Sequence, residues 1–428
     1  MLVKSVNVLL FGAVLGILSA CSTPCDGPGR LCAPITSITS VPLAPPAPQS
    51  AAPLAEPEPE PSSAQTFAVE NPDIIPSGET SVPAPALNRP IRIGLILPLR
   101  SDTLGQAAES LRAGFMAGYE RERDGFIVNV VETGDSAQNA LASYALAVEQ
   151  NDVVVGPLAR SAVTAVAGSA LVSKPTIALN HLDGSDSAGD TAPPPQMLVM
   201  GLSTEDEARQ VAAWASAEQP GAKALILSAR QPWQRRTVAA FAAQWERMGL
   251  ISQSTEMSTL NGNLVDAELA QLRARIQKEP GTLLFVALDG AQVRQLRVAL
   301  GNGIPIYGTS SINPGTGHGE AGPDLDGVRL LDLPWQVQRD HPAVMTYPRP
   351  LQSEEHKTNA DMDRLYALGI DAFRVAREIA LHPASAFQID GVTGRLSVNF
   401  GQGTASFERI EQCAVYENGA LVPLPRPQ

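Results

Sequence analysis

The chain has 428 residues, with 31 Lys+Arg against 44 Asp+Glu and a net charge of −13. Residues 1–89 carry −4 of this (three basic, seven acidic) and the remainder −9 without a basic stripe, which argues against a nucleic-acid partner. Four cysteines with no CxxC pair, and five scattered histidines (His181, His318, His341, His356, His382), give no metal-ligand spacing, and no cofactor motif is present.

The chain opens with Lys4, an apolar run from Val6 to Leu18, and then Leu18-Ser19-Ala20-Cys21. Charge, a short apolar stretch and small residues before a cut make a secretory signal. The run is shorter than the roughly 20 apolar residues that a membrane-spanning helix needs. A cysteine directly after the small residues matches the lipid-attachment motif, so Cys21 is expected to carry lipid; the alternative is an ordinary signal peptide cut near Ala20. Ser22, where an Asp would favour retention in the inner membrane, implies the outer membrane, with a periplasmic, lipid-anchored domain. An oxidising compartment permits a Cys25–Cys32 bridge and leaves Cys413 as a lone, buried thiol.

From Ser22 to Arg89 the chain holds 15 of its 36 prolines, including the run Glu56-Pro57-Glu58-Pro59-Glu60-Pro61. Such a segment buries too little apolar surface to offset chain entropy and is expected to be a disordered tether. At about 3.1 Å per residue its maximum reach is roughly 200 Å.

Beyond Pro90, apolar runs alternate with amphipathic helices. Ile91–Leu97 reads as a buried strand, and Leu104, Ala108, Leu111, Phe115 and Tyr119 share one helical face. Phe126–Val131 is a strand; Ala137, Leu141, Tyr144 and Val148 fall at helical spacing. Val153-Val154-Val155, ended by Gly156-Pro157, is a strand, followed by a helix with Val163, Val166 and Ala170 and by a strand at Thr176–Leu179. After Pro193-Pro194-Pro195 a second series begins: strands at Leu225–Leu227, Leu283–Ala287 and Ile304–Tyr307, with helices marked by Val238, Phe241, Trp245 and Met248, by Val265, Leu269, Leu272 and Ile276, and by Val293, Leu296 and Leu300. A late helix carries Leu365, Leu368, Ala372, Val375 and Ile379, and Gly394–Phe400 with Phe407–Tyr416 predicts a closing hairpin. Continuous apolar strands alternating with helices predict parallel sheets covered on both faces. The fold class is therefore α/β, with two doubly wound lobes preceded by the tether.

IRIGLILPL at Ile91, AESLRAGFMAGY at Ala108 and DVVVGPLARSAVTAVA at Asp152 resemble the type 1 periplasmic binding protein fold. PTIALNHLD at Pro175, IPIYGTSSI at Ile304, DLDGVRLLDLPW at Asp324, RLYALGIDAFRVA at Arg364 and GVTGRLSVNF at Gly391 resemble the C-terminal domain of LpoA-type penicillin-binding protein activators. Together these matches cover most of residues 90–420. The resemblance implies a non-enzymatic lipoprotein that binds a bifunctional penicillin-binding protein and stimulates peptidoglycan synthesis. It also implies a departure: longer members carry a helical repeat domain where this sequence has its Pro-rich segment. The expected organisation is residues 1–20 as signal peptide, 21–89 as lipidated cysteine plus linker, and 90–428 as a two-lobed domain. Lobe I takes about 90–200 plus a late helix near 360–381, and lobe II about 201–310 plus 391–425.

In α/β folds ligands bind outside the carboxyl ends of the strands. The residues placed there are Ser101 and Thr103 after the first strand, Gly156, Leu158 and Ser161 after the third, and Asn180 and His181 after the fourth. The second lobe offers Trp233, Asp289 and Thr309. A cleft of this kind suits a small ligand such as an amino acid, the alternative being a cleft kept by ancestry in which these residues serve turns and caps. This leaves a lipid-anchored solute receptor as the competing reading. Asp324-Leu325-Asp326-Gly327 reads as a turn rather than a calcium loop, and Trp335 as core rather than interface anchor. No GxSxG, HExxH or phosphate-binding loop is present, which argues against an enzyme.

Overall fold

A computed structural model describes residues 89–183, 192–279, 281–315, 323–350 and 360–425. The signal peptide, Cys21, the Cys25–Cys32 pair and nearly all of the tether lie outside the described residues.

The first series runs β1 (Ile91–Leu97), α1 (Gly105–Arg121), β2 (Phe126–Glu132), α2 (Ala137–Gln150), β3 (Val153–Val155), α3 (Arg160–Ala167), β4 (Thr176–Ala178) and β5 (Met197–Val199). Its sheet has the order β2-β1-β3-β4-β5, all parallel. The second series is α4 (Thr204–Glu218), β6 (Lys223–Ser228), α5 (Pro232–Arg247), β7 (Ser252–Glu256), a small ladder of β8 (Thr259–Leu260) with β9 (Asn263–Leu264), α6 (Asp266–Ile276), β10 (Thr282–Ala287), α7 (Gly290–Leu300), β11 (Ile306–Gly308) and β12 (Val328–Asp332). Its parallel part, β7-β6-β10-β11-β12, repeats the first sheet's order. In both, the strand order reverses beside the first strand, the position where open α/β sheets form a ligand crevice.

The chain then passes through α8 (Pro334–Val337) and α9 (Pro342–Met345) to α10 (Ala360–Leu381), a 22-residue helix that returns to the first lobe. Apolar residues fall on most sides of α10, which is how a helix buried on most sides reads. Its contact with α1 depends on two glycines. A Cβ on Gly114 would lie 1.8 Å from the Tyr366 carbonyl oxygen, and one on Gly369 would lie 2.1 Å from that of Leu111. Nearby, Phe373 meets Phe115 edge-on at 5.5 Å and Tyr119 at 5.8 Å.

The end of the chain departs from expectation. Phe407–Tyr416 is not one strand of a hairpin, and 391–425 does not fall wholly in the second lobe. β13 (Ala386–Asp390), β14 (Arg395–Asn399) and β15 (Ser406–Ile410) form an antiparallel sheet, and Ile389, Leu396, Val398 and Phe400 join the core containing Ile93, Phe115 and Phe373. Only β16 (Gln412–Glu417) and β17 (Ala420–Pro423) extend the second sheet, antiparallel beside β12. The segment stays extended through Glu411, so its pattern reads as continuous although its two halves pack on different cores.

Alternation along the central strands feeds two layers of the second lobe. Leu284 and Val286 face the cluster with Leu272 and Leu296, while Leu283, Phe285 and Ala287 face Phe241 and Trp245. Phe285 stacks on Phe241 at 4.0 Å. Trp335 is fully buried as expected of a core residue, beside Tyr366 and beneath the Arg349 guanidinium. Asp326 sits in a turn, its carboxylate accepting from the Gly419 N–H at 2.9 Å and Gly327 adopting φ +80°.

Candidate functional site

The carboxyl-end loops hold the candidate residues, and most of their polar atoms serve the loops themselves. Ser101 Oγ accepts from the Leu104 N–H at 2.7 Å and the Thr103 N–H at 3.2 Å, and donates to Asp135. Thr103 Oγ1 lies 3.5 Å from the same carboxylate. Gly156 is held by close approach: its φ is +108°, and a Cβ would lie 2.2 Å from the Ile96 carbonyl oxygen. Leu158 is a core residue, 6% exposed, whose carbonyl accepts from Asn180 Nδ2 at 3.0 Å. Asn180 Oδ1 in turn accepts from the His181 N–H at 2.9 Å. Ser161 is exposed on α3.

In the second lobe Asp289 caps α7, accepting from the Gln292 N–H at 2.9 Å while Gln292 Oε1 accepts from the Asp289 N–H. Thr309 is fully buried and bonds Ser311 Oγ at 2.9 Å, and Ser311 reaches back to the Leu288 carbonyl. Trp233 is half-buried, and its carbonyl accepts from Thr237 Oγ1. The fold thus joins Ser101 with Thr103, Leu158 with Asn180 and His181, and Thr309 with the loop after β10. Among the described residues no hydrogen bond or ion pair links the first-lobe set to the second-lobe set. Nor do the described residues contain a cluster of three or more His, Cys, Asp or Glu able to hold a metal ion.

A second polar region, absent from the sequence-based site, lies where the chain crosses between lobes. The crossovers are Met200–Ser203 after β5, the passage from β12 through α8 and α9 to α10, and Glu411 between β15 and β16. Arg364 of α10 grips Asp332 at the end of β12 with two bonds, of 3.0 and 2.7 Å, and also donates to the Ser310 and Asn313 carbonyls. Burial alone would lower the Arg364 pKa, but Asp332 more than offsets this, so the net direction is upward. Arg409 of β15 donates to the Met200 and Gly201 carbonyls at 3.0 and 2.9 Å and to Thr393 Oγ1 at 3.1 Å. Thr393 donates onward to Asp371 of α10 at 2.7 Å. From α4, Gln210 bonds the backbone on both sides of the third crossover, donating to the Arg409 carbonyl and accepting from the Glu411 N–H.

The start of α4 completes the region. Ser203 caps the helix through the Asp206 N–H, and acidic residues in the first turn suit its dipole. Glu205 pairs with Arg236 at 2.7 Å; burial raises its pKa, but that pair outweighs burial and the net direction is downward. Glu207 accepts from both the N–H and the hydroxyl of Ser310, at 2.6 and 2.9 Å. Buried charge is tolerated only when paired or neutralised, and two of these contacts, Arg364 with Asp332 and Gln210 with the Glu411 N–H, run from one lobe to the other. One signal for it was in the sequence: Arg364 and Asp371 stand seven apart in an apolar run, which places both charges on a buried helix face.

Comparison with known proteins agrees with this architecture. The penicillin-binding protein activator LpoA of Edwardsiella piscicida is 29% identical over 270 residues, covering 54% of this chain and 37% of that protein. LpoA of Haemophilus ducreyi is 26% identical over 340 residues, covering 77% and 54%. The chain therefore spans between about a third and about half the length of these relatives. The LpoA C-domain of Haemophilus influenzae, described as a regulator of PBP1A, superposes with a TM-score of 0.62 at 21% identity over 78% of this chain and 100% of that one, a likeness of fold. A "putative branched-chain amino acid ABC transporter" from Chromobacterium violaceum superposes with a TM-score of 0.61 at 31% identity over 76% of this chain and 100% of that one. Residues 75–419 match the family described as "LppC putative lipoprotein", and the chain belongs to that family.

Proposed function

We propose that the protein is an outer-membrane lipoprotein that binds a bifunctional penicillin-binding protein and stimulates its peptidoglycan synthesis. The observation that carries this reading is the LppC match across both lobes, with curated relatives that are penicillin-binding protein activators. The candidate ligand loops add support, because their polar atoms are largely engaged in caps and turns. Lipid on Cys21 supplies the anchor, and the Pro-rich segment the reach toward a synthase in the other membrane.

Full-length protein should capture a bifunctional synthase from solubilised envelopes and raise its glycan polymerisation rate. A rate unchanged at saturating protein would sink the activator reading. In cells, Cys21→Ala, or a deletion within Pro42–Pro85, should abolish the effect while leaving the purified protein's unfolding midpoint unchanged; normal cell-wall synthesis in both would reduce the tether to a spacer.

The identity with the Chromobacterium protein favours one second reading, a receptor for an amino acid. Leucine, isoleucine or valine at 100 times its Kd would then stabilise the fold by about 2.7 kcal/mol. We expect no such shift, and a shift of that size would favour the receptor.

A further inference from the structure

The charged side chains at the crossovers do not balance. Asp332 and Asp371 are fully buried, Glu205, Glu207 and Glu411 are 2%, 4% and 5% exposed, and Arg364 and Arg409 are 7% and 9% exposed. Three acids have a basic partner: Asp332 has Arg364, Glu205 has Arg236, and Asp371 has Arg374 at 3.2 Å. Glu207 and Glu411 are left with Arg409, whose guanidinium N–H groups are aimed at two backbone carbonyls and a threonine hydroxyl. Glu411 Oε2 is buried with no hydrogen-bond partner among the described residues. Gln210, one turn along α4 from Glu207, accepts from the Glu411 N–H at 3.1 Å, so both acids belong to one buried region. Two carboxylates sharing a low-dielectric site do not both ionise.

We propose that at neutral pH the crossover region holds a proton on the Glu207–Glu411 pair, and that this proton keeps the lobes in the arrangement described above. Losing it loosens the crossovers, so the lobes respond to alkaline surroundings. The groups facing the pair come from every element around it. Asp332 of β12 and Asp206 of α4 oppose a second negative charge, while Arg364 of α10 and Arg409 of β15 favour it. Asp371 and Asp206 also act on Arg409, whose pKa burial lowers. His181, within reach of Asp206, Glu205 and Arg409, is pushed below its ordinary value by burial, so it offers no compensating cation at neutral pH. Burial raises Glu207 from 4.5 to about 8, and burial together with Glu207 raises Glu411 well above 4.5.

The direction of the pH effect follows from linkage. The folded chain retains a proton that the unfolded chain releases near 4.5, so the stabilising contribution is complete below that value. It is lost progressively as pH rises, until the folded-state value of about 8 is passed.

Full-length protein should show an unfolding midpoint that falls between about pH 5 and about pH 9. Glu411→Gln and Glu207→Gln, which mimic the neutral carboxyl, should flatten that fall and be at least as stable as the parent at its upper end. With 13C-labelled glutamate, the carboxyl signal missing from each variant should titrate far above the ordinary glutamate range in the parent. The distance between fluorophores at Leu146 of α2 and Val298 of α7, both exposed, should lengthen as that carboxyl ionises. Ordinary titration of both glutamates, or a pH dependence unchanged in both variants, would overturn the proposal. A constant inter-lobe distance through the transition would overturn its conformational half. Should Glu207→Gln fail to fold, the parent's carboxyl titration, assigned against Glu411→Gln, still decides.

Discussion

The carboxyl-end loops and the crossovers both gather polar side chains, but they differ in how those side chains are held. At the loops, Ser101, Asn180 and Asp289 are satisfied by atoms a few residues away or one strand over: Ser101 closes a turn, Asp289 caps α7, and Asn180 ties the loop after β4 to the loop after β3. At the crossovers the bonds join distant parts of the chain, with Arg409 reaching the carbonyl of Gly201, 208 residues earlier. Loop polarity here is local, whereas part of the crossover polarity, Arg364 with Asp332 and Gln210 with the Glu411 N–H, joins one lobe to the other. A difference in the cost of substitution should follow.

The largest effect is expected at Arg364. Replacing it with alanine leaves Asp332 charged and fully buried, and the Ser310 and Asn313 carbonyls lose their donor. Breaking a buried pair from one side costs about 3–5 kcal/mol. Urea unfolding should show that loss, and a loss no greater than that of a loop variant would erase the distinction between the two regions.

How much of this was legible in the sequence depended on how far apart the partners lie. β1 is Ile91–Leu97 and β3 is Val153–Val155, as the unbroken apolar runs predicted, because parallel strands covered on both faces leave no polar alternation. β7, Ser252–Glu256, was not legible: it is an edge strand of largely exposed polar residues. α4 was missed because its buried face mixes the acids Glu205 and Glu207 with three alanines, Val211 and Trp214, which gives a weak periodic signal. The cleft loops were located by strand ends, but whether their polar atoms were free depended on neighbours such as Asp135, which spacing does not reveal. The crossover network was the least legible, since its members come from separate elements and, apart from Arg364 and Asp371 in their apolar run, each alone resembles an ordinary cap or surface charge.

Asp289 tests the middle of the range. It forms a reciprocal capping box with Gln292, and Gln292 Nε2 also fixes the Gly262 carbonyl at 3.1 Å. Asp289→Ala should cost about 1 kcal/mol, the usual worth of an N-cap, seen as a lower urea midpoint with an unchanged slope. A loss near that of Arg364→Ala would mean the loop bears load between the lobes.

Ser161 tests the lower end. It is exposed, and no hydrogen bond within the described residues engages its hydroxyl. Surface substitutions away from caps and cores usually fall within about 0.5 kcal/mol, so Ser161→Ala should leave the unfolding curve in place. Its information lies in ligand response, because its hydroxyl stands at the start of α3 with no hydrogen bond among the described residues. If the cleft takes an amino acid, Ser161→Ala should weaken the thermal shift that ligand produces. If it takes none, parent and variant should be indistinguishable with every ligand tried, and the cleft loops would be turns and caps with no further role.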